Sequence, residues 1–345
     1  MNGVINIYKE RGCTSFHLVY ELRKITGEQK VGHTGTLDPN VTGVLPICLG
    51  KSTKLVGQLT DTDKTYHCRM LLGKRTDTQD LTGQLLEEMD PEQVKKILKT
   101  SDKFEEAILH FVGDIEQLPP MYSALKVDGV KLVDAARRGV EIERKSRVVT
   151  VYAIRDIQVA EDLMTAEFTV ECSKGTYIRT LCEDIGKYLG IPACMEDLER
   201  TCASGLDLSS ALTLDQVKAF AQEGTLEEHL IPPDTFLQIY PQVMIRDEFK
   251  KHLVYGNYIY RRDLILTDEA ENGDMPDTEN SNMPGTENGD MPDGEKTEKI
   301  CGQDIKFAPD QIYRVYDSSG EFYALYQYSL PEDCLKCVKM FKDIE

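Results

Sequence analysis

The chain has 345 residues, 41% of them apolar and 29% charged, with a formal net charge of −19. That length allows two domains and a sizeable core. No apolar run could span a bilayer, and residues 1–9 lack the basic-then-apolar layout of a secretion signal, so a cytoplasmic protein is expected. Ten cysteines are scattered through the chain, several of them (Cys48, Cys68, Cys182) within apolar runs. They read as reduced, small hydrophobic residues rather than a disulfide framework. Cys334 and Cys337 form one C-x-x-C pair without two further ligands at zinc spacing, so no metal is expected.

In chain order, residues 5–8 predict a strand. Thr14 or Ser15 then caps a helix in which Phe16, Val19 and Tyr20 recur at i, i+3 and i+4, ending near Gly27. Residues 32–55 form a glycine-punctuated polar loop that turns apolar. Pro39 restricts Asp38 to an extended or turn conformation, and Val41, Val44, Leu45, Ile47 and Leu49 supply an apolar base, so Asp38 is predicted to be a carboxylate displayed on a stiff bend. The Gly50, Lys51, Ser52 triplet is not a phosphate loop, because position 45, where that motif needs glycine, is leucine. Residues 61–65 match the D-x-D-x-T nucleophile pattern of haloacid-dehalogenase phosphatases, but no buried hydrophobic strand leads into Asp61, and a solvated turn is expected there. Residues 66–72 alternate as a strand. Asp90 and Pro91 open a helix with Val94, Ile97 and Leu98 inward, and Phe104, Ala107, Ile108 and Phe111 mark another. Lys131, Arg137, Arg138, Arg144, Lys145 and Arg147 make the densest cationic stretch, a candidate for phosphate contacts. Residues 148–159 and 166–172 read as strands, followed by a helix with Ile178, Leu181, Cys182 and Ile185 on its apolar stripe.

The run from Gly32 to Leu55 resembles the catalytic motif of the TruB-type tRNA pseudouridine synthases, bacterial enzymes that isomerise the uridine of the TΨC loop (position 55). Further stretches are similar to the same family: Lys64 to Tyr66 with Leu72 to Asp80, Gln117 to Lys126, Ser173 to Arg179, and Met195 to Thr201, which resembles the family's Leu-Arg-Arg-Thr. The resemblance implies an α+β fold, with a pseudouridine-synthase core whose central mixed, mainly antiparallel sheet is flanked by helices. It implies Asp38, Tyr66 and Arg179 as catalytic residues, with Tyr66 stacking on the base and Arg179 pairing with Asp38 and lowering its pKa. Substrate contacts are implied for His33, Tyr177, Leu198, Lys9 and Lys126. Glu10 and Glu199 depart from the family pattern, which has proline and arginine at those places.

From about Gln242 onward the chain predicts short strands (251–260, 311–316, 321–328) of a small barrel resembling a PUA domain. The expected division is a catalytic domain at 1–241 and a PUA-like RNA-binding domain at 242–345. The second is interrupted at about 268–299 by an acidic segment containing three octapeptide repeats and holding eleven acids against two lysines. Its composition predicts disorder, and it carries nine of the net negative charges, so any RNA-binding face is a local basic patch. The expected function is uridine-to-pseudouridine isomerisation on tRNA, without cofactor, membrane or obligate protein partner, by a monomer. The competing readings are a tRNA-binding or tRNA-folding factor and a guide-dependent dyskerin-like synthase.

Overall fold

A computed structural model describes residues 1–265 and 307–342; the acidic repeat and Cys301 lie outside the described residues. The chain divides into two compact units, Met1–Pro233 and Asp234–Glu345. The second begins before the expected Gln242. Asp234 accepts a hydrogen bond from the Tyr316 hydroxyl (2.9 Å), and the Tyr240 carbonyl accepts one from Arg314 Nε (2.8 Å), which ties the intervening segment to the second sheet.

The first unit is built on strands β1 (Gly3–Lys9), β2 (Val31–His33), β3 (Thr42–Leu49), β4 (Lys64–Leu72), β5 (Gly113–Gln117), β6 (Arg147–Val159), β7 (Thr165–Cys172) and β8 (Ala193–Ala203). Their order is β1-β3-β8-β4-β7-β6-β5, with β2 on β3 and Leu206–Asp207 on β8. All the pairings are antiparallel except β3 with β8, so the sheet is mixed and mainly antiparallel. Strand β7 shows how it is layered: Ala166, Phe168, Val170 and Cys172 are buried while Thr165, Glu167, Thr169 and Glu171 are not, the period of two that pleating imposes.

The apolar face is covered by helices α1 (Ser15–Thr26), α2 (Pro91–Leu98), α3 (Ser101–Leu109), α4 (Ile178–Leu189) and α5 (Leu214–Glu223), which share one core with the strands. Thr14, not Ser15, caps α1, its side chain accepting from the His17 amide (3.1 Å). Helix α4 buries Ile178, Leu181, Cys182, Ile185 and Leu189, a stripe at helical spacing. Gly186 lets this helix lie against β8, because a side chain there would collide with Ala193.

In the second unit, strands β9 (Gln242–Met244), β10 (Ile259–Tyr260), β11 (Ile312–Tyr316), β12 (Phe322–Ser329) and β13 (Cys334–Met340) form one sheet in the order β9-β11-β12-β13-β10. Residues 251–260 were expected as a strand; instead Lys250–Tyr255 is a short helix, α6, closed by Gly256 in the left-handed region. Leu253 is its one fully buried residue, so its apolar pattern was too short to separate helix from strand by periodicity.

Candidate active site

The Asp38 loop is held on both sides of the acid. Before it, the Leu37 amide donates to Ser15 Oγ (3.0 Å), and that hydroxyl donates back to the Leu37 carbonyl (3.3 Å). After it, the Pro39 carbonyl accepts from the Gly12 amide (2.8 Å) and from Lys9 Nζ (3.0 Å). Lys9 also donates to the carbonyls of Cys13 (2.7 Å) and Glu10 (3.0 Å) and is fully buried. Its expected place as a substrate contact is therefore corrected: with all three donors used on carbonyls, it is a clamp for the loop. Burial lowers its pKa to about 8.

Asp38 Oδ2 lies 3.3 Å from Arg179 Nη2, and the two side chains are 41% and 6% exposed. The acid thus faces solvent on one side and a buried cation on the other. Arg179, in the first turn of α4, also donates to the Tyr122 carbonyl (2.6 Å) and, at longer range, to the Thr78 carbonyl (3.4 Å). One guanidinium therefore joins the Asp38 loop to two of the other motif stretches. The sequence implied that Arg179 lowers the Asp38 pKa; the net shift is upward. Crowding of the carboxyl by surrounding protein raises it most; Arg179 pulls it down, Asp80 pushes it up and Lys9 pulls it down. The expectation weighed the charge pair and omitted desolvation.

Tyr66 stands on β4 opposite Arg200 of β8 and packs against the core. Burial raises its pKa, keeping the hydroxyl protonated, and the nearby Arg200 guanidinium pulls it part of the way back. Sequence reasoning did not single out Arg200. It is 1% exposed, donates from Nε to the Val44 carbonyl (2.7 Å) and from Nη2 to the Gly35 carbonyl (3.2 Å), and so braces both ends of the loop that carries Asp38. The approach requires a glycine at 43, with φ of 107°, where any side chain would strike the Arg200 backbone. Strand alternation was the available signal, since Arg200 shares a face with Leu198, which is buried as expected for an apolar wall.

Tyr177 is fixed through its backbone: its amide donates to Gln117 Oε1 (3.0 Å) and its carbonyl accepts from Gln117 Nε2 (3.2 Å). Its ring has Arg147 and Arg179 at 5.3 and 6.0 Å from the centroid. The Gly35 amide donates to His33 Nδ1 (3.3 Å), and burial, then Arg200, lowers the His33 pKa, so the imidazole is neutral. Lys126 is exposed on a short hairpin with Lys131 opposite. Asp80, also missed, accepts from Thr78 Oγ1 (2.7 Å) and from the Thr82 amide (2.9 Å), shaping the turn whose Thr78 carbonyl meets Arg179.

Glu199, the departure from the family pattern, faces away from this cluster. Its carboxylate accepts from the Tyr8 hydroxyl (2.7 Å) and Thr42 (3.5 Å) in a cavity of about 380 Å³ that His67 and Arg69 also line. Asp61, in the phosphatase-like pentad, is exposed and paired with Lys174 (2.9 Å), and Asp63 accepts from the Tyr152 hydroxyl (3.1 Å), as on a solvated turn. Among the described residues, no group of three or more His, Cys, Asp or Glu is arranged to hold a metal, and no helix is long and apolar enough to cross a membrane.

A mixed, mainly antiparallel sheet flanked by helices and followed by a second, smaller sheet is the fold of a pseudouridylate synthase. Residues 23–178 match the TruB family pseudouridylate synthase N-terminal domain, and residues 179–238 match the tRNA pseudouridylate synthase B C-terminal domain. The chain is 46% identical over 261 residues to the tRNA pseudouridine synthase B of Bacillus pumilus, covering 74% of this chain and 82% of that protein. It is 43% identical over 267 residues to the protein of that name from Alkaliphilus oremlandii, covering 77% and 86%. The chain belongs to the TruB family of pseudouridylate synthases. A chain of the Cbf5-Nop10-Gar1 complex aligns with 99% of this one and 85% of its own length, at a TM-score of 0.61 and 23% identity. That likeness supports the fold, including the PUA-like form of the second sheet.

Proposed function

We propose that this chain converts the uridine at position 55, in the TΨC loop of tRNA, to pseudouridine, acting as a stand-alone cytoplasmic monomer without cofactor. The observation that carries the reading is the Asp38–Arg179 pair at 3.3 Å, half open to solvent and backed by the Tyr66–Arg200 contact. The reaction breaks N1–C1′, turns the uracil, joins C5 to C1′, and exchanges a proton from C5 for one on N1. It needs a carboxylate at the ribose, a surface on which the free base pivots, and a uridine extracted from its stack.

Asp38 acts at the ribose, by adding to C1′ or by taking the C2′ proton. Arg179 orients its carboxylate and offsets the desolvation that would otherwise keep it protonated. Tyr66 offers its ring to the uracil while Arg200 fixes its hydroxyl, and Tyr177 and Leu198 close the apolar side. His33 sits neutral in the loop and fills space vacated by the flipped nucleotide. Lys126 and the cations at 131–147 meet phosphates, and the second unit adds RNA contacts.

The test is tritium release from tRNA labelled at uridine C5, run with a binding assay at fixed salt on the wild type and Asp38→Asn. Release that the substitution abolishes while binding persists supports the reading. Tight binding with no release from either protein overturns it in favour of an RNA-binding or folding factor.

A further inference from the structure

Helix α1 carries aromatic residues on its solvent face where a soluble helix ordinarily carries polar ones. Phe16 is 70% exposed and Tyr20 50% exposed, four residues apart, and Lys24 continues the stripe with its ammonium 4.1 Å from the centre of the Tyr20 ring. The other strongly exposed aromatic side chains of the first unit are engaged: Tyr188 is stacked on His110 at 4.2 Å, and the Tyr152 hydroxyl is bonded to Asp63 at 3.1 Å. Among the described residues Phe16 has no ring or cation partner. The stripe starts beside the loop that carries Asp38, because Ser15, the residue before Phe16, is the one whose hydroxyl binds both backbone groups of Leu37.

Extracting a uridine for reaction at Asp38 leaves the bases on either side of it with uncovered faces. We propose that Phe16 and Tyr20 form a stacking platform for the RNA bases flanking the extracted uridine, with Lys24 at its far end meeting their phosphates. The proposal rests on the reading of the chain as a tRNA pseudouridine synthase and adds to it the path of the flanking strand. From Phe16 to Lys24 the helix rises about 12 Å, which matches three to four stacked bases at about 3.4 Å each. Charge leans the same way: α1 has no acid in its first turn, Arg23 and Lys24 stand in its last, and Lys24 is exposed although Glu21 pairs with it at 2.9 Å, so the helix keeps a net positive end. Base–aromatic stacking accepts any base, so the platform adds affinity without reading sequence.

The test measures pseudouridine formation and KM on full-length tRNA for the wild type and for Phe16→Ala, Tyr20→Ala, Phe16→Leu and Phe16→Trp, with melting temperature as a check on folding. Loss of one stack is expected to raise KM about tenfold in each alanine variant. Phe16→Trp is expected to restore KM and Phe16→Leu to leave it raised, because leucine keeps the apolar volume and lacks a π face. Unchanged KM in the alanine variants, or full rescue by leucine, overturns the platform while the wild-type activity keeps the functional reading. A wild type that forms no pseudouridine overturns that reading and, with it, the substrate as occupant.

Discussion

Glu199 and Arg200 are neighbours in one strand, yet they belong to different parts of the protein. Arg200 is buried behind the Asp38 loop and spends its donors on the Val44 and Gly35 carbonyls, whereas Glu199 points across the sheet to Tyr8 and Thr42 in a solvent-facing cavity. The two faces obey different energetics. On the buried face each lost hydrogen bond leaves an acceptor that water cannot reach; on the open face solvent replaces it. A charge reversal against the family pattern is therefore tolerable at 199, and the same reversal at 200 would not be.

The largest effect should come from Asp38→Asn: pseudouridine formation falls at least about a thousandfold, the scale of removing the group that acts on the ribose. Stability should move the other way. A folded pKa above the unfolded value means that the folded protein holds the proton more tightly, so ionisation of Asp38 costs stability at neutral pH and that cost vanishes as pH falls below the ordinary carboxylate range. The variant should melt at the same or a higher temperature at pH 7, and a clear fall in melting temperature would contradict the raised pKa.

Next is Arg200→Ala, which strips partners from the Val44 and Gly35 carbonyls. We expect about 3 kcal/mol of destabilisation in urea unfolding and a large loss of turnover, since unsatisfied buried acceptors cost about 1–3 kcal/mol each. Arg179→Ala should lower turnover and also move the acid limb of the pH–rate profile to higher pH, because it removes the strongest influence holding the Asp38 pKa down. An acid limb that stays in place would separate Arg179 from the acid.

Lys9 gives a pH signature without touching substrate. Its pKa of about 8 lies below the usual lysine value of 10.5, so the unfolded chain binds more protons between those limits and stability rises with pH across that window. Lys9→Met should flatten that rise, a difference of up to about 2 kcal/mol in unfolding free energy between pH 8 and 10. The smallest effect tests the open face: Glu199→Arg, which restores the family's residue, should change stability by less than about 1 kcal/mol and activity by less than threefold. A large loss there would erase the contrast between the faces.

Local chemistry was legible where spacing is its own signature. The stiff bend at Asp38, the apolar base from Val41 to Leu49, the stripe of α4 and the alternation of β7 follow from Pro39, from 3.6-residue periodicity and from pleating, and all depend on residues close in the chain. The pairing partner of Asp38 was readable only through the family resemblance, which placed Arg179 there. Residues 251–255 misled because a run that short carries no period, and Lys9 misled because nothing local says whether a lysine faces substrate or three carbonyls.

The sequence by itself determined the strongly periodic elements and the displayed carboxylate, since these rest on short-range geometry, and the mainly antiparallel α+β architecture was legible only through the family resemblance. Only the tertiary structure decided that Arg200 braces the loop, that Glu199 is turned away and that Asp38 titrates upward. Burial and charge are sums over groups distant in the chain, and desolvation has no sequence signature until the fold brings those groups together.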